Sequence, residues 1–416
     1  MNGTLPPGMR EAARLTRARR LIEATALLQR KLHGRREPFS APSTGRLPAT
    51  IDLVPETVEV TDPGPSLRAG QEFGTGAGNR DERAGRAYLP EALHRLLDRI
   101  PRTGFEPGLS GLADPSPADV PDVPEGGQFL VRSYTNHVGT RAYKIYVPSC
   151  YRGQPLPLIV MLHGCTQSPD DFAAGTRMNL RAEERNCFVA YPAQAASANA
   201  SKCWNWFRPG DQRRGQGEPS LIAGITRQVV SEYSVDPDRV YAAGLSAGAA
   251  ATAILAATYP DLYAAIGVHS GLACGAASDV ASAFAAMRQN QHAAKHRSGH
   301  RSGRAGASRI VPAIIFHGDQ DKTVHPHNSD QVIAQLREAL NIDLQATVQE
   351  GRVPGGRAYR RVLHHDASGQ AIFEQWVIHG AGHAWSGGSP AGSYTDPQGP
   401  DATREMLRFF LDHPRS

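Results

Sequence analysis

Aromatic side chains make up only 7% of this 416-residue chain, lean for its length, so part of the sequence is expected never to enter a core. The first 125 residues hold just Phe39, Phe73, Tyr88 and Phe105. Cysteine is scarce as well. Cys150, Cys165, Cys187, Cys203 and Cys274 include no zinc-knuckle spacing and no CxxC redox pair, which argues against a structural metal site. In an exported chain one or two disulfides remain open, with one thiol left over. No apolar run approaches the roughly eighteen residues of a membrane-spanning helix. Lysine is nearly missing: Lys31, Lys144, Lys202, Lys295 and Lys322 are the only ones among 45 basic residues. With so much alanine and glycine, that arginine bias reads as GC-rich coding rather than as selection for phosphate binding. Glycine (42) and proline (31) are above average yet short of a collagen-like or wholly disordered composition.

What is present divides the chain in three. Residues 1–34 read as a basic amphipathic helix, its body over 9–33, with Leu15, Ala18, Ile22, Thr25, Leu28 and Leu32 on one face and Gly34 as a stop. Residues 1–37 carry nine basic against three acidic side chains, so the net charge of +5 belongs to this end. Such a helix suits an anionic or apolar surface or a partner helix; the simpler reading is a solvated helix resting on its own domain. Arginines break every stretch that might serve as a signal-peptide core, which makes a cytoplasmic protein the expectation. Residues 35–127 are a Pro/Gly-rich linker, mostly disordered, with room for one short helix over 87–100.

From residue 128 to 416 the pattern changes. FLVRSYTNHVGTRAYKIYVP predicts a hairpin about His137-Val138-Gly139. Short apolar runs follow at Leu156–Leu162, Cys187–Tyr191, Val240–Ala243, Tyr263–Val268, Ile310–Phe316 and Ile372–Ile378. Helical patterns lie between most of them, at Leu221–Tyr233, Ala247–Thr258 and Ser329–Leu340, and a last one at Asp401–Leu411. Near-continuous apolar strands alternating with helices predict an α/β domain: a mostly parallel central sheet with helices on both faces. The basic, low-complexity stretch 289–309 falls between a helix and a strand as a flexible insertion. It lacks interleaved aromatics and any reader module, so no nucleic-acid partner is expected.

The chemistry concentrates in RVYAAGLSAGAAATAILAA, residues 239–257. A strand, then Gly244-Leu245-Ser246-Ala247-Gly248, then a helix is the nucleophile-elbow pattern. The glycines let strand and helix approach, and the helix N-terminus favours developing negative charge near the Ser246 hydroxyl. Serine needs a base and an acid, in the order Ser, acid, His. After a buried strand, FHGDQDKTVH offers Asp319 and Asp321, with Asp321 preferred and Asp319 read as a loop residue bonding its own backbone. VIHGAGHAWSGG offers His379, at a strand end and read as a satisfied core histidine, and His383, on a glycine-rich loop and the better general base. An oxyanion hole needs two backbone donors, expected from the N–H groups of Ala247 and Cys165. The Cys165 side chain is then either incidental or a disulfide partner, and a cysteine nucleophile is not needed.

LHGCTQ, CWNWF, GLSAGAAAT, FHGDQDKTVHP and GHAWSGG, in this order, closely resemble the polyhydroxybutyrate depolymerase-like esterases, relatives of feruloyl and acetylxylan esterases. The resemblance covers roughly 129–414. It implies the α/β-hydrolase fold, the triad Ser246, Asp321 and His383, and the Cys165 N–H in the oxyanion hole. It also makes Trp204 a candidate substrate contact, with a core aromatic as the alternative, and pairs Cys165 with Cys203 in exported relatives. The chain departs from the family in having Ser386 where proline is commoner, and it is expected to carry neither a signal peptide nor an appended polymer-binding domain.

Together these features predict a serine esterase needing no cofactor or metal. Its substrates would be poly- or oligo-3-hydroxyalkanoates, alternatively feruloyl or acetyl esters of carbohydrate. A polyester granule surface is a candidate partner of the N-terminal helix, and extracellular location stays open because many relatives are secreted. A competing class is a binding protein acting through residues 9–33. A cofactor-dependent oxidoreductase is disfavoured, because no Gly-x-Gly-x-x-Gly follows any strand.

Overall fold

The computed structural model describes residues 58–60, 121–288, 309, 311–340 and 344–415. The expected N-terminal helix, the helix over 87–100 and nearly all of the basic insertion lie outside the described residues.

Eleven strands form one sheet: β1 (Val58–Val60), β2 (Gln128–Asn136), β3 (Gly139–Val147), β4 (Leu156–Leu162), β5 (Phe188–Pro192), β6 (Val235–Leu245), β7 (Ala265–His269), β8 (Ala313–Gly318), β9 (Gln345–Arg352), β10 (Ala358–His365) and β11 (Ala371–Ile378). Their spatial order is β1-β9-β10-β11-β8-β7-β6-β4-β5-β3-β2. The pairs from β5 through β4, β6, β7 and β8 to β11 are parallel, and both flanks are antiparallel. The expected hairpin is β2–β3, in register from Gln128 opposite Val147 to Asn136 opposite Gly139.

The central strands read as unbroken apolar runs because both faces are covered. All seven residues of β4 are buried. Leu158, Val160 and Leu162 join one core layer, while Ile159 and Met161 join the other, as the two-residue period of a strand requires. On the first face sit α3 (Gly217–Glu232) and α4 (Ala247–Thr258), through Ile222, Ile225, Val229, Ala250 and Ile254. On the other sit α1 (Pro169–Thr176), α2 (Met178–Arg185) and α7 (Ala402–Leu411), through Phe172, Met178, Ala182, Met406 and Phe410. Two further helices, α5 (Val280–Arg288) and α6 (His327–Leu340), flank β8 in sequence.

Parallel strands deliver their following loops to one edge of the sheet, and this places the candidate residues. Cys165 follows β4, Ser246 follows β6, Asp321 follows β8 and His383 follows β11. Two glycines set the closeness of the elbow. A Cβ on Gly248 would strike the Leu162 carbonyl oxygen, and one on Gly244 would strike the Gly248 backbone. Backbone cannot yield as a flexible side chain can, so Gly248→Ala is expected to cost about 3 kcal/mol, the upper range for overpacking. Urea unfolding checks it against Gly210→Ala, where an added Cβ meets nothing within 4 Å.

Candidate active site

Ser246 caps the N-terminus of α4 with φ 58° and ψ −119°. A non-glycine residue adopts positive φ only where the surroundings enforce it. Here the enforcement is visible: the Ser246 N–H donates to the His269 carbonyl at 2.9 Å, and its own carbonyl accepts the first bond of the helix, from Ala250 at 3.0 Å. The unbonded N–H groups of the first helical turn, Ala247 first among them, lie directly after the hydroxyl-bearing residue.

Both carboxylates that competed for the acid role are paired with a histidine, and the pairs are separate. Asp321 Oδ2 lies 2.7 Å from His383 Nδ1, while Asp319 Oδ2 lies 2.9 Å from His379 Nδ1. Burial distinguishes them. The Asp321 side chain is 0% and His383 12% exposed, against 31% and 44% for Asp319 and His379. Asp321 Oδ1 also accepts the N–H groups of Thr323 and Val324 at 2.8 and 2.9 Å. Burial pushes the Asp321 pKa up, but hydrogen bonds from His317 and His383, the charge of His383 and the Val324 N–H hold it well below the usual carboxylate range. It is therefore a fixed anion aimed at the Nδ1 side of one imidazole.

His379 is thus no core histidine. It is an exposed side chain just past the end of β11, and Asp319 bonds it and the Gly380 N–H rather than its own turn.

The Cys165 loop borders the elbow: a Cβ on Gly164 would stand 3.7 Å from Ser246 Cβ. Its N–H groups are unequally engaged. Gly164 donates to Gln167 Oε1 at 2.8 Å and Thr166 to the Ser201 carbonyl at 2.7 Å, whereas among the described residues no backbone acceptor stands against Cys165. The Cys165 side chain forms a disulfide with Cys203, with 4.2 Å between Cα atoms, so it is not incidental.

Trp204 requires a correction. It is 0% exposed, belongs to the same core layer as Ile222 and Leu162, and donates from Nε1 to the His163 carbonyl at 3.0 Å. The expected substrate contact is instead the core aromatic of the alternative reading, bracing the loop that carries Cys165.

Two histidines that sequence reasoning passed over complete the surroundings. His163 and His269 are fully buried, and burial pushes their pKa values down to about 4 and about 3. Both are consequently neutral, with Nε2 accepting backbone N–H groups: Gln194 for His163 at 3.1 Å, Ser386 for His269 at 3.0 Å. Neither has a local signature, although each sits at the end of a strand that leads to the site. Among the described residues no group of three or more His, Cys, Asp or Glu is placed to hold a metal, and no helix is long and apolar enough to cross a membrane.

A mostly parallel sheet with a serine elbow after a central strand and a His–Asp pair at the ends of later ones defines an α/β-hydrolase. Comparison with known families narrows this. Residues 141–355, just over half of the chain, match the family described as Esterase PHB depolymerase, and the chain belongs to that family. The matched stretch contains Ser246 and Asp321 and stops short of His383. Poly(3-hydroxyalkanoate) depolymerase C of Paucimonas lemoignei is 36% identical over 254 residues, 60% of this chain and 59% of the relative. Feruloyl esterase B of Neurospora crassa is 34% identical over 127 residues, 30% of this chain and 42% of the relative. A solved acetyl xylan esterase from Aspergillus awamori covers 61% of this chain and 94% of its own, with 23% identity and a TM-score of 0.49. The chain therefore spans about three fifths of the first relative and two fifths of the second.

Proposed function

We propose that the protein is a serine esterase acting through Ser246, His383 and Asp321. The observation that carries this is the pairing of a buried Asp321–His383 dyad with a strained serine elbow at the same sheet edge. His383 takes the Ser246 proton as the hydroxyl attacks the ester carbonyl. Asp321 holds Nδ1 protonated and stabilises the imidazolium that forms. The Cys165 and Ala247 N–H groups receive the oxyanion. His383 then returns its proton to the leaving alcohol, and water, deprotonated by the same imidazole, cleaves the acyl-enzyme. Ser246→Ala is expected to reduce p-nitrophenyl butyrate turnover at least 10³-fold with an unchanged thermal midpoint; retained turnover would overturn the mechanism.

For the substrate we favour poly- or oligo-3-hydroxyalkanoates, supported by the family and by the longest of these alignments. Feruloyl or acetyl esters of carbohydrate are the second reading, supported by the relatives of those names. Release of 3-hydroxybutyrate from amorphous polymer, measured against ferulate and acetate from xylan, decides between them. A granule surface is the partner proposed for residues 1–34. Deleting residues 1–125 is expected to leave p-nitrophenyl butyrate turnover intact and to reduce sedimentation with polymer particles. A binding protein would instead lose its function with that deletion.

The Cys165–Cys203 disulfide bears on the compartment. Such bonds persist in oxidising surroundings, which favours export over the cytoplasm expected from the N-terminal sequence. Thiol titration of unfolded, unreduced protein is expected to find three thiols, Cys150, Cys187 and Cys274. All five cysteines reacting would return the protein to a reducing compartment.

A further inference from the structure

Gln167 and His269 are buried polar side chains with no part in the chemistry above, at 2% and 0% exposure. Each is hydrogen-bonded at two ends, to different segments of the site. Gln167 Oε1 accepts the Gly164 N–H at 2.8 Å, while its Nε2 donates to the Ser393 carbonyl at 3.1 Å and to Ser393 Oγ at 3.2 Å. Ser393 is itself fixed, donating from N–H and Oγ to Asp171 of α1 at 2.6 and 2.5 Å. The next residue, Tyr394, accepts the Trp385 N–H at 2.7 Å. Ser386 follows Trp385, and its N–H donates to His269 Nε2 at 3.0 Å. The His269 carbonyl accepts the Ser246 N–H at 2.9 Å.

These bonds connect the three segments that must meet. They run from Gly164, beside Cys165, through Gln167 to Ser393, across to Trp385 and Ser386 in the loop carrying His383, and through His269 to Ser246. The two side-chain links have no slack. The His269 ring is stacked between Trp385 at 5.1 Å and Phe316 at 5.7 Å. As a neutral imidazole accepting at Nε2 it carries its proton on Nδ1, 3.3 Å from Ser270 Oγ. Gln167 fixes the N–H of Gly164, next to Cys165, whose own N–H has no acceptor among the described residues.

We infer that Gln167 and His269 are positioning residues for ester hydrolysis: Gln167 holds the Cys165 N–H at the oxyanion, and His269 holds the His383 loop in register with Ser246. The inference rests on the serine-esterase reading. Because the two links act on different catalytic groups, their loss has different signatures. Removing an oxyanion donor costs roughly 10²–10³ in kcat, and a displacement of about 1 Å costs about 10².

The test is steady-state kinetics of the full chain on p-nitrophenyl butyrate across pH, with active sites counted by a p-nitrophenyl phosphonate. Gln167→Leu is expected to lower kcat about 30–100-fold, with KM within about twofold and an unmoved pH profile. His269→Phe keeps the stacked ring and removes the acceptor. It is expected to lower kcat about tenfold and to move the acid limb of the kcat/KM profile to lower pH, as the His383–Asp321 contact loosens. Should Gln167→Leu not fold, exposed Ser393→Ala tests the same link, with about a threefold loss of kcat expected. Variants that melt earlier yet keep kcat within about twofold and the parental pH profile would make both residues merely structural, and so would Ser393→Ala at parental kcat. If Ser246→Ala itself retains turnover, the esterase reading fails. If Ser246→Ala is dead while Gln167→Leu and His269→Phe are not impaired, this inference alone fails.

Discussion

Asp321→Asn is expected to lower kcat by about four orders of magnitude, close to 5 kcal/mol of transition-state stabilisation. The size follows from tautomer control. With Asp321 ionised, His383 must keep its proton on Nδ1, 2.7 Å away, which leaves Nε2 free to accept the serine proton. An asparagine can turn its amide nitrogen toward Nδ1, and the imidazole then carries its proton on Nε2, where a base is needed. Asp321 is also the acceptor for Thr323 and Val324 N–H groups and lies 3.4 Å from His317 Nε2. The carboxylate is thus held rigidly, and the variant keeps the shape while losing the charge. Asp319→Asn is the matched control: its pair with His379 is exposed, and the loss in kcat is expected to be at most about threefold. Kinetics of the two variants on p-nitrophenyl butyrate decide the assignment. A large loss in Asp319→Asn with a small one in Asp321→Asn would reverse the roles of the two dyads.

The elements that position these groups were mostly legible because they are locally encoded. The run expected at Leu156–Leu162 and the helix expected at Ala247–Thr258 have the observed bounds, since a strand covered on both faces and a buried alanine-rich helix have uniform apolar composition. The β9–β10 hairpin carries no such local signal. Its strands, QATVQEGR and AYRRVLHH, lie toward the sheet edge and keep charged residues on half-exposed faces, which breaks the apolar run that betrays a strand. Helices α1 and α2 leave no periodic signal in the sequence, because they have only eight residues each and are separated by Arg177 at φ 54°. At the site, order and spacing pointed to Ser246, Asp321 and His383. What they could not convey was burial: the exposed position of His379 and the interior position of Trp204 depend on the neighbouring loops. Gln167 and His269 were invisible for a stronger reason. Their partners lie 226 and 117 positions away, and a hydrogen bond across that distance leaves no pattern in either segment.

Acidification is expected to destabilise the fold steeply between about pH 6.5 and pH 4, and the buried histidines set the window. Burial pushes His163 and His364 down to about 4 and His269 to about 3, against about 6.5 in an unfolded chain. In that interval the unfolded state binds protons that the folded state refuses, so stability is complete above about pH 6.5 and falls with falling pH. Asp321, held below its ordinary range, works in the same direction at lower pH, its contribution being lost as pH drops below about 4. Glu218 opposes them. Burial and the neighbouring Asp211 raise its pKa, so its proton is held more tightly in the folded state and favours folding at low pH. Asp211, raised by burial, opposes them likewise, and three histidines against at most one proton from each of these two carboxyls leave a net uptake of at least about one proton on unfolding near pH 5, or about 1.4 kcal/mol per pH unit. Urea unfolding at pH 7, 6 and 5 measures that slope, and a flat profile would refute it. His364 isolates one proton of it. It lies on β10 at 7% exposure, and neither ring nitrogen has a hydrogen-bond partner among the described residues. His364→Leu therefore removes a titrating group without breaking a bond. The variant is expected to stay within about 1 kcal/mol of the parent at pH 7.5 and to flatten the slope by about 1.4 kcal/mol per pH unit. It then becomes the more stable protein as the pH falls toward 5.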